Sequence, residues 1–225
     1  LDMPVVISEP AGTGHQTTVT QVLRGRYGVT DTIQAGLTYA IGTERLAKPD
    51  GQDGFVAGKS FALDGQYALV PGLLSVSLSV PFHTDPFAMG VILGAPLRLH
   101  LGEKFTVFLG EDLLYLRVAK FPPKPDDPAY NQALVAGLSQ SATTNDGSVN
   151  AGIRAVYQIK PHVAVFGSFN IWFIDFSPNK PPTPLFAGVS YTHQQKLDIG
   201  ARLGIGGFAS PNNNLSISLF AAYRL

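Results

Sequence analysis

The chain is 225 residues long, with sixteen lysines and arginines matched by sixteen acids, 45% hydrophobic residues and only 14% charged ones. Zero formal charge and no basic block exclude the phosphate-neutralising surface that a nucleic-acid binder needs, and so low a charge content is lean for a soluble domain. The absence of cysteine excludes a disulfide scaffold and thiolate metal sites; no apolar run reaches the roughly eighteen residues of a spanning helix, and no leader-like segment opens the chain, so if the protein is exported its mature form is expected here.

Period-two alternation runs along almost the whole chain, which predicts an all-β protein. Pro4 to Glu9, with Val5, Val6 and Ile7 bracketed by Pro4 and Pro10, is the candidate first strand. Ile33, Ala35, Leu37, Tyr39 and Ile41 then alternate with Gln34, Gly36, Thr38 and Ala40, and Leu74, Val76, Leu78 and Val80 with Ser75, Ser77 and Ser79. From Phe105 to Leu116 the alternation slips, so the adjacent acids Glu111 and Asp112 are read as a bulge, or as the outer mouth of a barrel, in preference to a catalytic pair. Val149, Ala151, Ile153, Ala155, Tyr157 and Ile159 face away from Asn150, Gly152, Arg154 and Gln158; Leu197, Ile199, Ala201, Leu203 and Ile205 face away from Asp198, Gly200, Arg202 and Gly204. The last eleven residues set Leu215, Ile217, Leu219, Ala221, Tyr223 and Leu225 against Ser216, Ser218, Phe220, Ala222 and Arg224.

Short turns at 28–31, 71–73, 102–104, 160–162 and 193–196 alternate with longer connections at 43–58, 83–86, 119–147, 176–184 and 209–213. Such asymmetry, with segments longer than the usual soluble strand, predicts one antiparallel up-and-down transmembrane β-barrel over 1–225, with short periplasmic turns and longer extracellular loops. About eleven strands are clear, and the even-number rule for single-chain barrels asks for a twelfth. A barrel in lipid turns its apolar face outward. Glycines such as Gly36, Gly152, Gly188 and Gly200 make a poor core but a permissible inner wall, while Tyr27, Tyr39, Tyr67, Phe82, Phe87, Phe105, Tyr157, Phe173, Tyr191 and Tyr223 fit interfacial girdles.

An amphipathic strand running to the chain's end with an aromatic third from last resembles the targeting strand of bacterial outer-membrane barrels, with Tyr223 and Leu225 as the assembly signal. Arg26 to Leu37, reading Arg-Tyr-Gly-Val-Thr-Asp-Thr-Ile-Gln-Ala-Gly-Leu, resembles a turn-and-strand pattern of Gram-negative outer-membrane barrels, among them the phenol meta-pathway transporter family. In that turn Gly28 is expected to supply backbone freedom and Asp31 to cap the returning strand. The resemblance implies a bacterial outer-membrane location, contacts with lipid and lipopolysaccharide, and the barrel-assembly machinery as a partner during biogenesis.

Candidate chemistry is sparse. Tyr191-Thr192-His193-Gln194-Gln195-Lys196 resembles the start of the nucleophile segment of outer-membrane phospholipase A, but Gln195 stands where the serine belongs. No catalytic residue, cofactor or metal site is implied: His83, Asp85, His100 and His162 have no ligand spacing. The informative set is charged: Arg24, Arg26, Asp64, Arg98, Arg154, Asp198, Arg202 and Arg224 are expected to line a lumen with a basic bias. That reading yields a narrow channel or transporter for small, anionic or amphiphilic solutes. The alternative is a non-conducting barrel, closed by Arg/Asp pairs, that anchors an envelope-spanning assembly; a membrane-embedded hydrolase is a third reading without a nucleophile. The proline-rich 119–147 connection, carrying Ala133 to Leu138, is expected to constrict the mouth, to dock another envelope protein, lipid or lipopolysaccharide, or to be a surface loop with no specific role.

Overall fold

The computed structural model describes residues 2–8, 16–47, 53–57, 60–84, 87–119, 147–174, 176–177, 183–205 and 215–223. Within them run β1 (Asp2–Ser8), β2 (Gln16–Gly28), β3 (Ile33–Ala47), β4 (Asp53–Ala57), β5 (Ser60–Val70), β6 (Leu74–Thr84), β7 (Phe87–Gly94), β8 (Leu97–Leu101), β9 (Phe105–Leu109), β10 (Leu114–Ala119), β11 (Gly147–Lys160), β12 (Val163–Ile174), β13 (Leu185–His193), β14 (Leu197–Ile205) and β15 (Leu215–Tyr223). All fifteen belong to one antiparallel sheet.

The sheet closes on itself. β1 pairs with β2 on one edge and with β15 on the other, while β7 pairs with β10 and β10 with β11. β4 extends the β3 hairpin off the ring. β8 and β9 continue β7 and β10 beyond a break, so removing β4, β8 and β9 from the fifteen leaves a ring of twelve strand positions. In lipid no water is available to an open edge, and closure leaves the ring without one. β1 completes the ring despite Pro4: its ladder to β2 lapses at Met3 and Pro4 and resumes at Val5↔Val19, where a donor is again present. The β6–β7 ladder lapses in the same way at Val80 and Pro81.

The break in β7–β8 and β9–β10 is a bulge. Between the pairs Leu93↔Leu114 and Leu97↔Leu109, Gly94 to Pro96 on one strand oppose Gly110 to Leu113 on the other, one residue longer. Gly110 adopts φ 68°, a left-handed conformation open to glycine at little steric cost. The slip of alternation between Phe105 and Leu116 is this bulge.

All five tight connections lie at one end of the ring, between β2 and β3, β5 and β6, β8 and β9, β11 and β12, and β13 and β14. In the first, the Thr30 hydroxyl rather than Asp31 accepts from the N–H groups of Thr32 (3.3 Å) and Ile33 (3.0 Å). Gly28 stays out of the left-handed region, so neither expected role in this turn holds. A threonine hydroxyl reaches the same donors as a short carboxylate, and the turn needs no glycine.

Outward faces are aliphatic. Leu37, Leu63, Leu78, Ile153, Val189, Leu203 and Leu219 are exposed, Leu63 by 56% and Leu219 by 55%, with Tyr27, Tyr67, Tyr157, Tyr191 and Tyr223 toward the short-turn end. Tyr39, Phe61 and Phe82 form a stacked row across three strands nearer the long connections, at 4.8 and 5.4 Å between centroids. Exposed aliphatics banded by aromatics suit a hydrocarbon surround, where each outward Leu or Ile contributes about 1.5–3 kcal/mol on leaving water. Val189→Arg, at the middle of β13, should therefore destabilise the barrel by about 2–4 kcal/mol in reversible refolding into lipid vesicles, with Val189→Ala costing far less.

Candidate functional site

The register fixes what faces inward. Across the β8–β13 arc it aligns Arg98, Phe108, Arg154, Ser168 and Phe186 as successive cross-strand partners. Below them Phe166, Gly188, Arg202 and Ser218 form a second row. On the opposite arc Arg26, Gly36, Asp64 and Ser79 are partners, with Arg24 opposite Thr38.

Inward glycines are sockets for large side chains on the next strand. Phe220 lies over Gly200 and Phe166 over Gly188, so close that an added Cβ would clash with Phe220 Cζ or Phe166 Cζ. The two rings meet at 6.0 Å, tilted by 58°. Tyr115 lies over Gly90 and the Asn170 amide over Gly152; Gly36 lets the Arg26 stem pass toward Asp64. Large residues thus lie flat along the wall instead of crossing the interior.

The charges are held in two ways. Arg24 Nε donates to Thr38 Oγ1 (3.2 Å), whose hydroxyl donates to Asp64 Oδ2 (2.7 Å), and Thr192 Oγ1 donates to Asp198 Oδ1 (2.7 Å). Other guanidiniums rest on rings: Arg154 and Arg98 over Phe108 at 4.5 and 5.6 Å, Arg202 over Phe186 at 5.6 Å, Arg117 over Tyr115 at 5.6 Å.

The bulge brings two acids, Glu111 and Asp112, to the inner wall. Its Glu111 carbonyl accepts from Ser77 Oγ at 3.4 Å and fills the space beside Gly94, while the Glu111 carboxylate meets Arg154 Nη2 at 2.5 Å. Asp112 lies within electrostatic range of Arg24, Arg26, Arg154 and Asp64. A cavity of about 280 Å³ opens beside it, lined by Glu111, Asp112, Asn150, Arg154, Ser168, Asn170, Arg202 and the rings of Phe108, Phe166, Trp172 and Phe186.

No protein-family model matches the sequence, and a search of curated proteins finds no significant match. Solved structures do match in shape. A KdgM porin in complex with disordered oligogalacturonate aligns over 100% of both chains at 6% identity and TM-score 0.57. A NanC porin aligns over 100% of both chains at 9% identity and TM-score 0.59, and an outer membrane channel from Pseudomonas putida F1 over 99% of this chain and 95% of its own at 16% identity and TM-score 0.59. This chain has the outer-membrane porin fold.

Within that fold, Arg154 and Arg202 border the cavity, Arg98 sits one partner away on Phe108, and Arg24, Arg26 and Asp64 form the facing cluster. Asp198 lies apart from them, bonded to Thr192. Arg224 and Leu225 lie outside the described residues, as does 120–146 of the long connection; Tyr223 is exposed at the end of β15. His193 ends β13 with its ring 6.4 Å from Tyr191, on the face of the tyrosine band.

Sequence reasoning missed Arg117, Glu111 as the partner of Arg154, and the aromatic lining. Outward Leu116 and Val118 bracket Arg117 and place it inward, a signal readable only once the bulge is located. The sockets are themselves testable. Gly200→Ala, forced against Phe220 and the Val189 carbonyl, should cost about 1–3 kcal/mol in vesicle refolding. Outward-facing Ala201→Gly should cost under about 1 kcal/mol.

Proposed function

We propose that the protein is a narrow channel of the bacterial outer membrane for small anionic solutes, and not an enzyme. The observation that carries this reading is the closed ring itself: an aliphatic outer wall around an inner wall on which large side chains lie flat and, among the described residues, arginines outnumber acids. Arg24, Arg26, Arg98, Arg117, Arg154 and Arg202 share the interior with Asp64, Glu111, Asp112 and Asp198. A low-dielectric wall focuses that surplus and favours anions. A ring of twelve stands between the filled eight-stranded barrel and the open sixteen-stranded porin, which makes the passage narrow. The oligogalacturonate held by the KdgM porin is a polyanion, in keeping with an anionic cargo for this shape. Lipid and lipopolysaccharide surround the outer wall under this reading, and Tyr223 with Leu225 presents the closing strand to the assembly machinery.

Refolded protein in planar bilayers should give discrete conductance steps, with a reversal potential under a salt gradient that marks anion preference. Arg24→Gln with Arg26→Gln should shift that potential toward cations and leave the step frequency unchanged. A folded but silent barrel would sink the channel reading and leave the non-conducting anchor in its place.

A further inference from the structure

The pairing of Arg154 with Glu111 is incomplete in a telling way. A guanidinium binds a carboxylate best with two parallel bonds from its planar fork. Here one bond is made, from Nη2 to Glu111 Oε1, and Arg154 Nε is a buried donor with no hydrogen-bond partner among the described residues. Four residues earlier on the same strand, and lining the same cavity, Asn150 has a buried Oδ1 acceptor also without a hydrogen-bond partner among the described residues. Buried polar atoms are nearly always satisfied, so a donor and an acceptor left over on one wall point to a ligand that brings the complement of each. Arg154 stays in place without Glu111, because Phe108 supports the guanidinium at 4.5 Å from below. Trp172, 43% exposed, and Phe186 add flat apolar surface to the same cavity.

We propose that Arg154, Asn150 and Trp172 form a solute-binding site for a carboxylate borne on a hydroxylated ring, and that Glu111 occupies it in the empty channel as an internal competitor. The solute carboxylate replaces that of Glu111 and takes both edges of the Arg154 fork. A ring hydroxyl donates to Asn150 Oδ1, and the ring face lies on Trp172. Glu111 sits on a bulge anchored through its backbone to Ser77, so its side chain leaves Arg154 without moving a strand. The same chemistry comes from a sugar acid or from an aromatic hydroxy acid. The inference deepens the channel reading and rests on it, since the solute reaches the site through the lumen.

Trp172 is the single tryptophan of the chain, so its emission in detergent-solubilised protein reports this cavity alone and does not depend on conduction. D-glucuronate should change that emission saturably, or 4-hydroxybenzoate should bind by calorimetry, with D-glucose and phenol inert at the same concentrations. Whichever acid binds identifies the ring. Glu111→Gln should tighten binding roughly tenfold by removing the competitor, and Arg154→Lys, which keeps the charge but lacks the fork, should weaken it by a similar factor. Neither acid binding, neutral analogues binding equally, or an affinity unmoved by Glu111→Gln would overturn the site. Conductance steps present without binding would refute the site and spare the channel; silence in bilayers with binding intact would do the reverse.

Discussion

Closure of the backbone ladder is the constraint from which the rest follows. A sheet in hydrocarbon has no water to satisfy a free edge, so the β1–β15 seam is a condition of the fold rather than an ornament of it. β1 is seven residues long and carries a proline, yet it is held on both sides. Where Pro4 has no N–H to give, the ladder to β2 lapses locally and the β15 ladder continues through Pro4↔Ser218. Closure also dictates the two-faced pattern of every strand, since a ring has an inside only if the same parity points inward all the way round.

An inner wall has its own problem, because inward side chains of a ring this size converge. The solution here is pairwise: a glycine on one strand receives the ring or amide of its cross-strand partner, as in Gly200 with Phe220, Gly188 with Phe166 and Gly152 with Asn170. Each pair lines the wall with a large residue at the radial depth of a small one. The glycines weaken strand propensity, and the aromatic face covering them restores contact. The bulge follows a different rule: its extra residue re-aims the chain and brings Glu111 and Asp112 to the cavity.

Much of the architecture was legible because it depends on local patterns. Alternation from Ile33 to Tyr39 and from Leu197 to Ile205 identifies faces, and the five tight turns follow from Gly, Pro and polar residues between apolar runs. Even the seam strand was visible in Val5, Val6 and Ile7. What was not legible depends on pairing. That Phe166 lies on Gly188 requires knowing that β12 meets β13 in one register out of several, and that Glu111 meets Arg154 requires knowing where the four-residue side of the bulge falls. The turn at Thr30 shows a smaller limit: Thr30 and Asp31 both offer an oxygen of suitable reach, and only backbone geometry selects between them.

Arginine rather than lysine explains how the cations described on this wall remain fixed. A lysine ammonium is compact and strongly hydrated, and it holds a position only where acceptors surround it. The guanidiniums of Arg98 and Arg202 lie against rings that themselves occupy the wall, so packing sets their direction without cancelling their charge, while Arg154 combines such a ring with the Glu111 carboxylate. Carboxylate partners would fix the same side chains, but they would cancel the field they produce. Aromatic support therefore separates two jobs that a salt bridge merges, orientation and neutralisation. The interior holds both kinds of arrangement, with Arg24 tied to Asp64 through Thr38 on one arc and the ring-supported arginines on the other. On the aromatic arc the cavity opens between these ring-supported arginines and the two acids of the bulge, Glu111 and Asp112.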